Sequence, residues 1–194
     1  MPHFTRAELE SFRDAEVPDL IGPGLRLLFV GINPGLWTAA TQTHFAHSAN
    51  RFYPALLRAG IIEQPIDPAA GMTDDDRATL VARGIGITNL VRRATAKASE
   101  LTAAELREGG ARLLETVRRH EPAVVAVAGI TAYRDAFGRR GAVLGEQTHD
   151  LPTGWSERAR LWVVPNPSGL NAHETVASLA VAYRESARAA RLLR

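Results

Sequence analysis

The sequence predicts an α/β fold in which a mainly parallel sheet is covered by helices on both faces. Three observations carry that expectation. Continuous apolar runs of strand length, "LRLLFV" (25–30), "PAVVAVAG" (122–129) and the start of "RLWVVPNPSG" (160–169), are each bounded by turn residues. Such runs suit strands buried on both sides, as parallel sheets require. Segments with helical apolar spacing lie between them, and that alternation builds a layered α/β domain. The 194 residues show no repeat, no low-complexity segment and no internal linker. One domain over 1–194 is therefore expected, with enough chain for a sizeable core.

The elements follow in order. Residues 5–16 read as a short helix and Pro18 to Gly24 as a loop. "LRLLFV" is the first strand, and "GINPG" (31–35) is a rigid turn after it, followed by an irregular stretch to Asn50. "RFYPALLRAG" reads as a helix closed by Gly60, with Asn50 as a candidate N-cap. "IIEQPIDPAAGMT" is loop-like. Thr73 and three aspartates then open a helix running to about Arg83, with acidic residues where the helix dipole favours them. "GIGITNLV" (84–91) is a short strand. Residues 102–120 have a helical apolar period at Leu106, Leu113, Leu114 and Val117, with basic residues in the last turn. "PAVVAVAG" is the next strand, "ITAYRDAFG" a short helix, and "RLWVV" a strand running into "PNPSG". "HETVASLAVAYRESARAARLL" closes the chain as a helix, while 138–159 fit no single element.

Composition narrows the chemistry. Apolar residues make up 45% and charged residues 23% of the chain, as in an ordinary globular protein. Apolar runs are too short to cross a membrane, and no signal-like segment opens the chain, so a cytoplasmic protein is expected. There is no cysteine, which excludes disulfides, thiol catalysis and thiolate-held zinc or iron–sulfur clusters. The formal net charge is +2. Lys97 is the one lysine, so the positive charge is almost all arginine. Arginine suits bidentate phosphate contacts, but the bias follows equally from GC-rich coding.

Ligands of open parallel sheets bind beyond the carboxyl ends of the strands. "FVGINPG" and "VVPNPSG" share one plan there: a strand, then Asn-Pro, then Gly. Either alone is a common turn. Together they predict two walls of one crevice. No phosphate-loop pattern and no G-x-S-x-G elbow is present. The six histidines, His3, His44, His47, His120, His149 and His173, form no strong metal spacing. His44 and His47, in "THFAHSANRF", read first as surface or capping residues and second as ligands or contact groups. No metal and no cofactor is expected.

With both turns in view, the sequence resembles the mismatch-specific uracil-DNA glycosylase family, the bacterial relatives of thymine-DNA glycosylase. "GLRLLFVGINPGL" resembles the family's first strand and active-site turn, and "FAHSANRFY" its F-A-H-x-x-N-R-F segment. "GITNLVRRATAKASEL" and "VPNPSGL" resemble its later strand end and its wedge. Order and spacing hold over about 24–186, leaving 1–23 as an N-terminal helix and loop extension. The resemblance implies a three-layer α/β/α sandwich around a short, mainly parallel sheet. It also implies removal of uracil, ethenocytosine and related bases from double-stranded DNA, usually opposite guanine, by a monomeric enzyme.

The roles carried over are specific. Asn33 orients the attacking water; an amide takes no proton at neutral pH, so a slow enzyme is expected. Pro34 and Gly35 fix the turn, and Ile32 offers backbone groups to the base. Phe45 stacks on the flipped base. Thr38 lies beside the pyrimidine 5-position, and Asn89 stands where some relatives carry lysine. In the second turn, Leu170 is the wedge, held by Pro167 and Gly169. Asn166 and Ser168 face the backbone or the widowed guanine. The familiar relatives have arginine two residues beyond the wedge; here that position is Ala172, so Asn171 or His173 substitutes or guanine specificity is relaxed. Arg51, Arg92 and Arg93 are candidate phosphate contacts. A lone lysine favours a glycosylase without strand cleavage. Glu100 reads as helix-cap support before it reads as an acid or base. The alternatives are a superfamily member acting on single-stranded uracil or deaminated purines, and a damage-binding module without catalysis.

Overall fold

The computed structural model describes residues 4–194, so His3 lies outside the described residues. Five strands form one sheet: β1 (Leu27–Gly31), β2 (Ile85–Asn89), β3 (Val124–Ala128), β4 (Gly145–Gln147) and β5 (Arg160–Val164). Their order is β2-β1-β3-β5-β4. The first four in that row are parallel, and β4 closes one edge antiparallel to β5.

Alternation along the strands explains the layers. Leu27 and Phe29 point to one side of the sheet, with Val124, Ala126, Trp162 and Val164. They meet α3 (Phe52–Arg58), α4 (Asp74–Ala82) and α7 (Val176–Ala189) through Phe52, Leu56, Leu80, Leu179 and Tyr183. Leu28 and Val30 point to the other side, with Val125, Val127, Leu161 and Val163. They pack on α5 (Ala103–His120) and α6 (Ile130–Phe137) through Leu106, Leu113, Val117 and Tyr133. The run "LLFV" is wholly buried because both faces are covered.

Local chemistry sets the helix starts. Thr73, Thr102 and Thr175 each cap a helix with a reciprocal bond from the residue three positions on. The expected helix at 5–16 is shorter: α1 spans Arg6–Glu10, and the chain then turns to bridge Glu16 to Arg93. The stretch read as irregular holds a helix, α2 (Leu36–Thr41). It has no side-chain cap, starts from Gly35 and ends at a left-handed Gln42, so it left no capping signature. The ambiguous 138–159 contains β4, whose three residues are too few for a period-2 pattern. The N-cap of α3 is Arg51, without a side-chain cap bond, and not Asn50; Asn50, one residue earlier, accepts the Phe52 N–H on its side-chain oxygen at 2.9 Å.

One glycine contact sets the distance between α5 and the sheet. A Cβ on Gly109 would lie 2.3 Å from the Leu90 carbonyl oxygen. Alanine normally stabilises a helix interior by about 1 kcal/mol over glycine. Here overpacking reverses the sign: Gly109→Ala should lose about 1–3 kcal/mol. Urea unfolding should show a lower midpoint at unchanged slope.

Candidate active site

The connection leaving β1 runs to β2, while that leaving β3 runs towards β5, on the opposite side. The crevice between β1 and β3 is thus a topological switch point, where α/β sheets bind ligands. A cavity of about 430 Å³ opens there, at the carboxyl ends of the strands. Its walls come from both Asn-Pro turns: Ile32, Asn33, Pro34 and Gly35 on one side, Asn166, Ser168, Gly169 and Leu170 on the other. Gly129, at φ +118°, follows β3 between them, with Ile32 and the Asn166 side chain each 3.7 Å from where its Cβ would be.

The first turn is rigid because the segment after β2 pairs with it. Val91 N–H bonds to the Ile32 carbonyl at 2.9 Å, and Thr95 N–H bonds to the Pro34 carbonyl at 3.1 Å. Asn33 is half-buried, and its amide is oriented by its neighbours. Its Nδ2 donates to Thr95 Oγ1 at 2.8 Å and the Arg93 carbonyl at 3.2 Å, and also lies 3.0 Å from the Pro34 carbonyl. Thr95 Oγ1 itself donates to the Lys97 carbonyl at 2.9 Å, which leaves its lone pair for Asn33. With the NH₂ held, Oδ1 is the free atom of the amide on the cavity wall.

Phe45 forms another wall. Its backbone is left-handed (φ +57°), and its ring stacks on buried Phe52 at 4.2 Å between centroids and 26° between planes. The stack fixes one face of Phe45 within the core. Thr38 is buried against the cavity, and its Oγ1 accepts the Ala46 N–H at 3.3 Å, tying the Phe45 loop to α2. Asn89 ends β2 and lines the cavity beside Phe45.

The second turn is a self-bonded loop. Asn166 Oδ1 accepts the Ser168 N–H at 3.0 Å, Ser168 Oγ the Leu170 N–H at 3.3 Å, and the Asn166 carbonyl a bond from Asn171 Nδ2 at 3.1 Å. Asn171 Oδ1 accepts the His173 N–H at 3.3 Å. Gly169 passes so close to Ala49 that a Cβ would sit 2.7 Å from it, so the turn packs on the Phe45 loop. Leu170, at the tip, is 94% exposed.

Two expected phosphate contacts are redirected. Arg51 donates to the carbonyls of Ser168, Asn171 and Glu174, and its own N–H bonds to the Pro167 carbonyl at 3.0 Å. It is a strut under the second turn. Arg93 bonds to Glu105, Asp14 and the Glu100 carbonyl. That contact, with the bonds from Thr102, holds the Glu105 carboxyl down at about 2. Sequence could not say whether an arginine faces carbonyls or solvent. Arg92 is half-exposed, 3.4 Å from Asp19. Glu100 pairs with Arg13 and accepts the Lys97 N–H at 2.8 Å, and these bonds hold its carboxyl below the usual range. It is an ionised anchor, in line with the capping role.

Some residues at the site were missed. Thr95, which orients Asn33, sits in "RRATAK" with no motif to mark it. Lys97, Ala49 and Asn50 also line the cavity, as does His47, which the sequence offered second as a contact group. His47 Nδ1 accepts the Ala49 N–H at 3.1 Å. Among the described residues no group of acidic, histidine or cysteine side chains is placed to hold a metal, and no helix is long and apolar enough to cross a membrane.

Comparisons with known proteins agree with this architecture. Residues 18–187 match the model of the uracil DNA glycosylase superfamily. Among solved structures, the chain is similar to the solution NMR structure of a proposed uracil DNA glycosylase from Methanosarcina acetivorans. The TM-score is 0.56 at 14% identity, over 89% of this chain and 97% of that one. At that identity the likeness speaks for the fold.

Proposed function

The chain belongs to the uracil DNA glycosylase superfamily, and from that premise we propose that it is a monofunctional, mismatch-specific DNA glycosylase. It acts as a monomer on double-stranded DNA, excising uracil, and ethenocytosine or related damaged bases, with a preference for guanine opposite. The observation that carries the reading is Asn33: its NH₂ is held by Thr95 and the Arg93 carbonyl, leaving Oδ1 free on the cavity wall.

The chemistry follows from those groups. A duplex base is out of reach until its nucleotide is flipped out of the stack. Leu170 enters the gap and offsets the lost stacking. The base enters the cavity against the free face of Phe45. Asn33 Oδ1 accepts a hydrogen bond from water and holds it towards C1′. The glycosidic bond breaks through an oxocarbenium-like state, the base departs with the bonding electrons, water adds to C1′, and the proton it sheds passes to solvent, from which the base anion is protonated. Asn33 takes no proton, so the rate rests on placement and on how well the base leaves as an anion. Asn171 is engaged within its own loop, which leaves the exposed His173 side chain as the candidate contact to the opposite base. Lys97, which lines the cavity, and the half-exposed Arg92 serve in this reading as the phosphate contacts.

The decisive experiment is single-turnover excision from duplexes with U·G, U·A, ethenocytosine·G, T·G and hypoxanthine, and from single-stranded uracil. Fastest release from U·G supports the proposal. Fastest release from single strands or hypoxanthine favours the broader-specificity alternative. Tight lesion binding with no release favours the damage-binding module. Affinity should fall with salt as phosphate-bound counterions are released; a flat dependence contradicts a DNA substrate.

Thr38 sets a further expectation. Its methyl narrows the pocket where thymine carries its own. Thr38→Ser keeps the hydroxyl that accepts the Ala46 N–H and removes the methyl. Thymine release from T·G should rise about tenfold, the effect of one methyl in a tight pocket. No change or a fall, measured in the same assay, overturns this role.

A further inference from the structure

His44 lies behind the cavity wall and takes no part in the mechanism above. It is 4% exposed. Its Nε2 is 3.0 Å from the Pro18 carbonyl oxygen. A carbonyl only accepts, so Nε2 carries the hydrogen. Burial pushes the pKa of His44 down, so the ring is neutral and Nδ1 keeps its lone pair. The charged groups around it do not reverse this. Asp19, on the N-terminal segment, draws the pKa upwards, while Arg77, from α4, pushes it down. Asp19 is itself engaged by Thr88 and Arg92, and Arg77 by the Gln42 carbonyl. From α3, the Tyr53 hydroxyl donates to the His44 carbonyl at 3.0 Å.

That tautomer decides how Asn89 stands. His44 Nδ1 and Asn89 Nδ2 are 3.0 Å apart. Nδ1 can only accept, so the NH₂ of Asn89 faces it and Oδ1 turns away. Oδ1 lies over the bare Cα of Gly31, beside Phe45. A Cβ there would be 2.3 Å from Oδ1 and 3.2 Å from the Phe45 ring. Asn89, Phe45 and Asn33 share the cavity.

We propose that His44 is a positioning residue for base choice: anchored on the Pro18 carbonyl, it locks the Asn89 amide so that the pocket presents an oxygen acceptor to the base edge. The inference rests on the glycosylase reading and goes beyond it. An acceptor there selects bases with a ring N–H, such as uracil. It disfavours cytosine, whose N3 is itself an acceptor, and ethenocytosine, whose N3 is blocked. Uracil therefore ranks above ethenocytosine.

The test has two arms. First, ¹⁵N NMR of the full-length protein reads the His44 tautomer without reference to activity. A neutral Nε2–H ring at pH 7 is expected; an Nδ1–H ring or an imidazolium overturns the proposal. Second, uracil and ethenocytosine excision are compared across pH in wild type, His44→Gln and His44→Asn, each checked for folding by thermal melting. Glutamine reaches Pro18 but offers no acceptor at the Nδ1 position; asparagine restores one. The uracil-to-ethenocytosine rate ratio should fall roughly tenfold or more in His44→Gln and recover in His44→Asn. In wild type the ratio should hold at neutral and higher pH and fall as acid protonates Nδ1. Neither variant should show that acid limb. A ratio unchanged in folded His44→Gln, or lowered equally in both variants, overturns the proposal while uracil release continues. No release of any base by wild type instead removes the glycosylase reading, and this inference with it.

Discussion

Asn33→Ala should lower single-turnover uracil excision by about 10²–10³-fold while leaving lesion-duplex affinity within a few-fold. The size follows from geometry. The amide NH₂ is held by Thr95 Oγ1 at 2.8 Å and by the Arg93 carbonyl at 3.2 Å, and these bonds fix where Oδ1 stands. Alanine removes the acceptor without adding bulk, so water is still admitted but no longer held at one point. Thr95→Val separates orientation from presence: it keeps Asn33 and removes the oxygen that orients it. Excision should fall about tenfold, with most of the wild-type effect of Asn33 remaining. If Asn33→Ala excises at the wild-type rate, the water is held elsewhere and the proposed mechanism is wrong. If affinity and rate collapse together, Asn33 is a binding residue.

Leu170→Ala should reduce uracil release from duplex DNA by about 10–100-fold, equivalent to losing the burial of one leucine side chain. Release from single-stranded DNA should hardly change, because there is no stack to wedge apart. The side chain is 94% exposed in the free protein, so truncating it leaves folding stability within about 0.5 kcal/mol. A loss on duplex with unchanged melting therefore belongs to the complex and not to the fold. Equal losses on single and double strands would remove the wedge role. Arg51 makes a second variant informative. Its guanidinium holds three carbonyls of the wedge segment, so Arg51→Met should reproduce the duplex defect with Leu170 still present.

These expectations draw unequally on sequence and structure. The strands at 25–30, 122–129 and 160–164 were legible because burial on both faces forces a continuous apolar run bounded by turn residues. The helix after Thr73 was legible from its three opening aspartates, and the one over 102–120 from its apolar period and basic last turn. α2 and β4 were not, for lack of length and caps: their conformations are set by what they pack against. At the site, the two Asn-Pro turns stood out because Pro and Gly constrain the backbone locally, whatever surrounds them. Thr95 and His44 did not, because a threonine or histidine acquires its role only from the group opposite it.

Alternation of strand and helix, the absence of thiol chemistry and the pair of turns that wall one crevice are all written in the order of residues. Those properties depend on neighbours in the chain. Which atoms those turns expose is set by folding. It directed Arg51 and Arg93 inward, tied Asn33 to Thr95 across 62 positions of the chain, and set the Asn89 amide against His44. Hydrogen-bond direction depends on partners brought together by folding, and no local pattern of residues records it.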